Sequence, residues 1–262
     1  MLNIGEYRNK ADRLADLLPW AALIAPGVVL NKDGSFQRTF RFRGPDLESA
    51  TEAELVGLCA RANNALKRLG SGWALFFDAE RLEAQHYPLS GFPDAASWLI
   101  DEERRAAFEE AKQGQHFESR YHLTLLYMPP PDAQARTENA LLERDREAEG
   151  SARNWRQEIS RFWDETERML DLLSGFLPEI RALDDAETLT FLHGTISTKR
   201  HPVNVPEAPM YLDGVLVDTP LTGGLEPMLG EKHIRTLTIR GFPNTTRPGI
   251  LDALNHRDFA YR

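Results

Sequence analysis

Apolar and polar positions alternate most clearly between Pro26 and Arg43. Val28, Val29 and Leu30 form a β-branched, apolar run, and Asn31-Lys32-Asp33-Gly34 has the composition of a turn. From Phe36 onward, Phe36, Arg38, Phe40 and Phe42 share one face, while Gln37, Thr39, Arg41 and Arg43 share the other. Period-2 alternation on both sides of an Asp-Gly turn predicts a β-hairpin, with Gly34 at the position that requires φ > 0. Three phenylalanines on one face require cover, so the hairpin is expected to nucleate the core.

The flanking patterns predict mainly helices. A short polar helix is expected over 6–18, with Ala11, Leu14, Ala15 and Leu18 on one stripe. A longer helix spans 46–70, capped by Ser49 or Thr51, burying Leu55, Leu58, Cys59, Ala62, Leu66 and Leu69 and stopping at Gly70. Trp73–Ala79 reads as a strand. A helix over about 93–113 turns Ala96, Leu99, Ile100, Ala107 and Phe108 inward, and His116–Met128 is a long strand ended by three prolines. The charged stretch 132–153 is a solvated helix extension or a loop. From Trp155 to Leu177, apolar residues recur at three- and four-residue steps, predicting a long amphipathic helix over about 154–177. Asp184 or Asp185 caps a short helix to about Ser197. Beyond it, prolines punctuate short apolar runs; Tyr211–Val217 and His233–Ile239 read as strands, 249–255 as a short helix, and Phe259–Arg262 as the start of a strand.

Hairpins mixed with helices, without regular βαβ alternation, define an α+β fold: a mixed sheet with an early β-hairpin packed against several helices. Residues 1–205 form the main body, and 206–262 form a strand-rich, proline-punctuated segment of the same domain. No internal repeat or low-complexity tract is present.

Composition narrows the function. The 262 residues carry a net charge of −9, which weighs against an overall electrostatic grip on nucleic acid. One cysteine, Cys59, excludes an intramolecular disulfide framework and reads as a small core residue. No secretory signal is visible at the start of the sequence. The uncharged run Leu17–Leu30 is too short to span a bilayer and is interrupted by Pro19 and Pro26. It is either an apolar lead-in packed under the first strand or a docking surface for a membrane partner.

Motifs for chemistry are missing. No G-x-x-x-x-G-K-[ST] phosphate loop, G-x-S-x-G elbow or H-E-x-x-H helix occurs. Gly223-Gly224 and Gly70-Ser71-Gly72 are turns. Among seven histidines, His116 and His122 are far apart on one strand, and His193 and His201 flank a helix end without a carboxylate at ligand spacing. All read as surface or capping residues, so no catalytic, cofactor or metal residue is assigned. Lys199, Arg200 and His201, beside Ser197 and Thr198, either complement a helix C-terminus or contact a phosphate or acidic partner.

Several blocks, in order, resemble the amino-terminal region of the CagE/TrbE/VirB family of conjugal-transfer and type IV secretion ATPases, the TrbE-type branch most nearly. They are EYRNKADRLADLLPWAALIAPGVVLNKDGSFQRTFRFRGPDL, LGSGWALFFDAER, FESRYHLTLLYMPP, LDDAETLTFLHGTISTKRH and VPEAPMYLDGVLVDTPLTGGLEPMLGEKHIRTLTIRGFP. The resemblance implies a RecA-like motor domain beyond this chain, with ATP and magnesium bound there. It implies a non-catalytic docking role for this portion, peripheral at the cytoplasmic face of the bacterial inner membrane, with inner-membrane secretion subunits as partners and a hexamer in the full-length family. Some relatives carry a membrane segment at the start, which this sequence lacks. The docking candidates are Trp20, Leu23, Lys32, Arg41 and Arg43. The rival expectation is a single-stranded nucleic-acid-binding module, in which basic residues interleave with Phe36, Phe40 and Phe42.

Overall fold

The structure, a computed structural model, describes residues 13–46, 49–110, 116–130, 149–208, 210–238, 240–241, 244–245, 249, 253 and 256–262. The first half of the expected 6–18 helix, most of the 132–153 segment and most of the expected 249–255 helix lie outside this set.

The described helices are α1 (Leu14–Leu17), α2 (Glu52–Leu66), α3 (Ala95–Glu110), α4 (Glu149–Ser174), α5 (Asp185–Ile196) and α6 (Leu212–Leu216). The strands are β1 (Trp20–Ala25), β2 (Val28–Asn31), β3 (Phe36–Arg43), β4 (Trp73–Glu83), β5 (Phe117–Tyr127), β6 (Glu179–Ala182), β7 (Leu221–Thr222), β8 (Met228–Leu229) and β9 (Lys232–His233). The first six form one sheet, in which β1-β2-β3-β5-β4 is the main order, and β7, β8 and β9 form a second, small one. β2 and β6 share one edge of β3: β2 pairs with Phe36–Arg38 and β6 with Phe40–Arg43. The α+β class is as expected, but every described pairing is antiparallel, so the sheet is not mixed.

The hairpin forms as its alternation predicts, and β1 extends it. Gly27, at φ 66°, makes the β1–β2 turn, and Gly34, at φ 82°, the β2–β3 turn. Ser35 donates backbone and hydroxyl hydrogens to Asp33 Oδ1 at 3.0 and 2.6 Å, which stiffens the second turn. Phe36 and Phe40 are fully buried. Phe36 and Val28 pack on Ile159 and Phe162 of α4, and Phe40, Leu123 and Leu125 pack on Met169, Leu173 and Ala65. The long stripe on α4 therefore fills one face of the sheet.

The second face is buried too, which the alternation does not suggest. Val29, Trp20 and Leu18 meet Leu189, Leu192 and Ile196 of α5 and Leu212 and Leu216 of α6. Gln37 and Thr39, expected on an outward polar face, are consequently buried, and Thr39 and Thr124 satisfy each other's hydroxyls at 2.8 Å. Arg38, on the phenylalanine face, is buried beneath α4. It pairs with Glu167 at 2.7 Å, donates to Thr166 Oγ1 at 3.0 Å, and lies 3.8 Å from the Trp163 ring centre.

Helix ends follow the caps. Thr51 with Glu54 and Asp184 with Glu187 each form a reciprocal capping box, fixing the starts of α2 and α5. Three expected features differ. Tyr211–Val217 is not a strand: Leu212–Leu216 is one helical turn, because Leu212 and Leu216, four apart, both fill the second face. Of His233–Ile239, only His233 pairs, within β9, and Leu237 is exposed. Cys59 is exposed on α2, which turns Ala65 and Leu66 rather than its first two turns toward the sheet.

Candidate functional site

Two of the five residues expected to dock a partner lie on the surface. Trp20 is opposite Asn31 in the β1–β2 ladder and is only 8% exposed, packed among Leu18, Val29 and Leu189. Leu23 packs partly against the same cluster. The apolar run is spent on the sheet and its cover. Lys32 is tied down as well: its Nζ lies 3.1 Å from Asp213 Oδ2 and donates to Ala15 O at 3.1 Å, joining the turn to α6 and α1. Burial and pairing thus remove Trp20 and Lys32 as free contact groups. Arg41 and Arg43 are exposed at the far end of β3, opposite Arg181 and Glu179 of β6. The Arg181 guanidinium forks onto Glu187 at 2.7 and 2.6 Å and holds that carboxyl below its usual range.

The basic cluster after α5 is committed to internal contacts. Arg200 Nη1 donates to the carbonyls of Ser197 and Gly194 at 2.8 and 3.2 Å, closing the end of α5, while its Nη2 pairs with Glu80 at 2.9 Å. Glu80, on β4, also faces Arg262 at 3.5 Å, and Arg262 Nε donates to Asp78 Oδ2 at 2.9 Å. The Arg262 guanidinium stacks 4.9 Å from the Phe191 ring centre, and a Cβ on Gly194 would stand 2.7 Å from its Nη1. Residue 194 is a glycine because the guanidinium lies against the helix there. Burial opposes ionisation of Asp78, but His122 and Arg262 outweigh it and lower its pKa. Lys199 Nζ reaches Asp218 Oδ2 at 3.4 Å, and His201 lies ring to ring with His193 at 4.5 Å. The helix-terminus reading of this cluster describes Arg200 well. Lys199, Arg200 and His201 do not converge on one open anion site.

The structure also presents a surface that the periodicity conceals. The helical period turns Leu99 and Ile100 inward from α3, yet Trp98, Leu99 and Ile100 are 52%, 64% and 53% exposed. The anchored side of α3 is polar and aromatic instead. Tyr87 Oη donates to the buried Asp101 at 2.6 Å, and Tyr87, Phe108 and His116 stack in series at 5.7 and 4.6 Å. Three consecutive apolar residues cover most of a helix circumference, so one anchored face cannot hide them all; that is the legible signal. On β4, Phe76 and Phe77 are also exposed, Phe77 lying edge-on to Phe42 at 6.4 Å. No helix among the described residues is long and apolar enough to cross a membrane.

Residues 27–135, from the β1–β2 turn past β5, match the family model for the "Type IV secretion system ATPase VirB4/TrbE, N-terminal domain". The conjugal transfer protein TrbE of Rhizobium radiobacter is 33% identical over 277 aligned positions, covering 100% of this chain and 33% of that protein. A probable conjugal transfer protein TrbE of Sinorhizobium fredii is 42% identical over 132 positions, covering 49% of this chain and 87% of that protein. The type IV secretion system protein virB4 of Brucella melitensis is 22% identical over 271 positions, covering 97% of this chain and 32% of that protein. The class is therefore that of the amino-terminal domains of type IV secretion ATPases. The chain belongs to the VirB4/TrbE family, and it spans about a third of the length of the R. radiobacter and B. melitensis relatives.

Proposed function

We propose that this chain is the docking and assembly domain of a TrbE-like conjugal-transfer ATPase. It anchors the motor to the inner-membrane complex at the cytoplasmic face of the bacterial inner membrane and contributes to the oligomer. The observation that carries this reading is the exposure of Trp98, Leu99 and Ile100 on a helix whose other side is already anchored. Adjacent exposed apolar residues that include a tryptophan have the composition of an interface centre. Arg41 and Arg43 supply the outward charge at the hairpin end. In this reading ATP, magnesium and hydrolysis belong to the motor portion of the full-length protein, and residues 206–262 remain one domain with 1–205. Leu212 and Leu216 in the second-face core, and the Arg81–Tyr261 bridge, favour that unity.

The nucleic-acid reading loses its stacking platform, since Phe36 and Phe40 are buried. The test is co-purification of the full-length protein with the membrane-embedded subunits of its own transfer system. Two variants are compared with wild type: Trp98→Ser/Leu99→Ser/Ile100→Ser and Arg41→Glu/Arg43→Glu. All five side chains are exposed, so both variants should retain the native circular-dichroism spectrum. The apolar variant is expected to lose the membrane subunits or the oligomer. Wild-type co-purification and oligomeric state in both variants would refute the proposal. Salt-dependent binding of single-stranded DNA by the folded chain would revive the nucleic-acid reading.

A further inference from the structure

We propose that His193, His201 and Asp218 form a binding site for a zinc-type divalent transition metal. One ligand atom from each residue lies within 4.8 Å of the other two. His193 is on α5, His201 is in the segment after it, and Asp218 follows α6, so only the folded chain brings them together. The two imidazole rings are 4.5 Å apart, and His193 Nε2 stands 3.3 Å from Asp218 Oδ2. Two ligands held by one tetrahedral ion at ~2.0–2.1 Å sit about 3.3 Å from each other. The pair is already spaced as ligands of a common ion.

A second, independent observation concerns His193 itself. The side chain is 3% exposed, and Nε2 is buried with no aligned hydrogen-bond partner although it points at the carboxylate. A buried ring nitrogen without a partner is costly, and a metal bond would satisfy it. The carboxylate is oriented for the task. Asp218 Oδ1 accepts from the Ser197 hydroxyl at 2.6 Å and the Thr219 hydroxyl at 2.8 Å, which leaves Oδ2 toward the imidazoles. Such outer contacts fix the direction of a ligand carboxylate. Two imidazoles and one carboxylate suit zinc and its neighbours, and a water would complete the tetrahedron; calcium and magnesium prefer all-oxygen sets. Lys199 Nζ, 3.4 Å from Oδ2 on a side chain that is 61% exposed, is the group an arriving cation would displace.

The experiment uses the whole chain without an affinity tag, stripped with chelator and dialysed. Zinc is titrated calorimetrically, and cobalt(II) is followed by its visible absorption. One ion per chain, tetrahedral cobalt bands and a raised melting temperature are expected. The exposed ligands are altered so that folding is retained: His201→Ala and Asp218→Asn should each weaken zinc binding by at least about tenfold, a size reached even by outer-shell changes. Lys199→Ala should tighten it by removing the competing ammonium, an effect that a simple charge cluster would not produce. No binding, or binding equally strong in the His201 and Asp218 variants, overturns the proposal.

Discussion

The turn at Gly27 gives the sharpest quantitative prediction. Its φ of 66° is in the left-handed region, and a Cβ there would lie 2.5 Å from the backbone oxygen of Leu183. Its amide donates to Asp185 Oδ1 at 2.6 Å, tying the β1–β2 turn to the start of α5 across 158 residues. Gly27→Ala therefore acts twice. The left-handed backbone and the loss of a hydrogen bond to a charged group, as the turn moves off Leu183, together cost about 2.5–5 kcal/mol. For a domain of this size that lowers the melting temperature by roughly 5–20 °C. Urea unfolding followed by circular dichroism measures it, with two comparisons. Asp185→Ala removes only the hydrogen bond and should cost less than Gly27→Ala. Gly57→Ala, on α2 with nothing within 4 Å of the new Cβ, should stabilise by about 0.5–1 kcal/mol. A Gly27→Ala loss no larger than that of Asp185→Ala would refute the steric argument.

Other expectations follow from the packing and the charges. Phe162, 1% exposed and stacked on Trp73 with ring centres 5.7 Å apart, should cost about 3–5 kcal/mol on truncation to alanine, whereas Phe77→Ala should cost under about 0.5 kcal/mol; paired urea curves compare them. Exposed Cys59 should react with Ellman's reagent in the native protein as fast as a free thiol, and protection until unfolding would contradict its placement. The folded pKa of Asp78 is depressed, so its contribution is complete above the ordinary value near 3.8 and is lost as pH falls through the lower folded value. Asp78→Asn should therefore flatten the acid limb of a stability-versus-pH curve and leave its slope near neutrality unchanged.

How much of the fold is readable from the chain depends on whether local period or tertiary assembly sets the outcome. The α4 stripe and the Phe36–Phe40 face are legible because one period marks one buried side. The burial of Gln37 and Thr39 is not, because it arises from α5 and α6 arriving from far along the sequence to cover the second face. Tyr211–Val217 is apolar enough for a strand or a helix, and only the spacing of the pocket receiving Leu212 and Leu216 chooses the helix. Leu99 and Ile100 match a helical period, but no element among those described covers them. His193 and His201 lack a carboxylate at ligand spacing, and the fold supplies one from Asp218. Arg41 and Arg43 read as outward from the alternation and lie outward in the fold, while the pairing of Lys32 with Asp213 crosses too much sequence for any local pattern to reveal.

Site-specific photocrosslinking from position 99 tests the docking claim most directly. The full-length protein carries the photoreactive residue in place of Leu99 in cells with an active transfer system, and position 109, exposed on the same helix, serves as control. The account predicts an adduct with an inner-membrane secretion subunit or a second copy of the protein from position 99 and much less from 109. Equal or absent adducts at both positions, in cells that transfer DNA at the normal frequency, would contradict it.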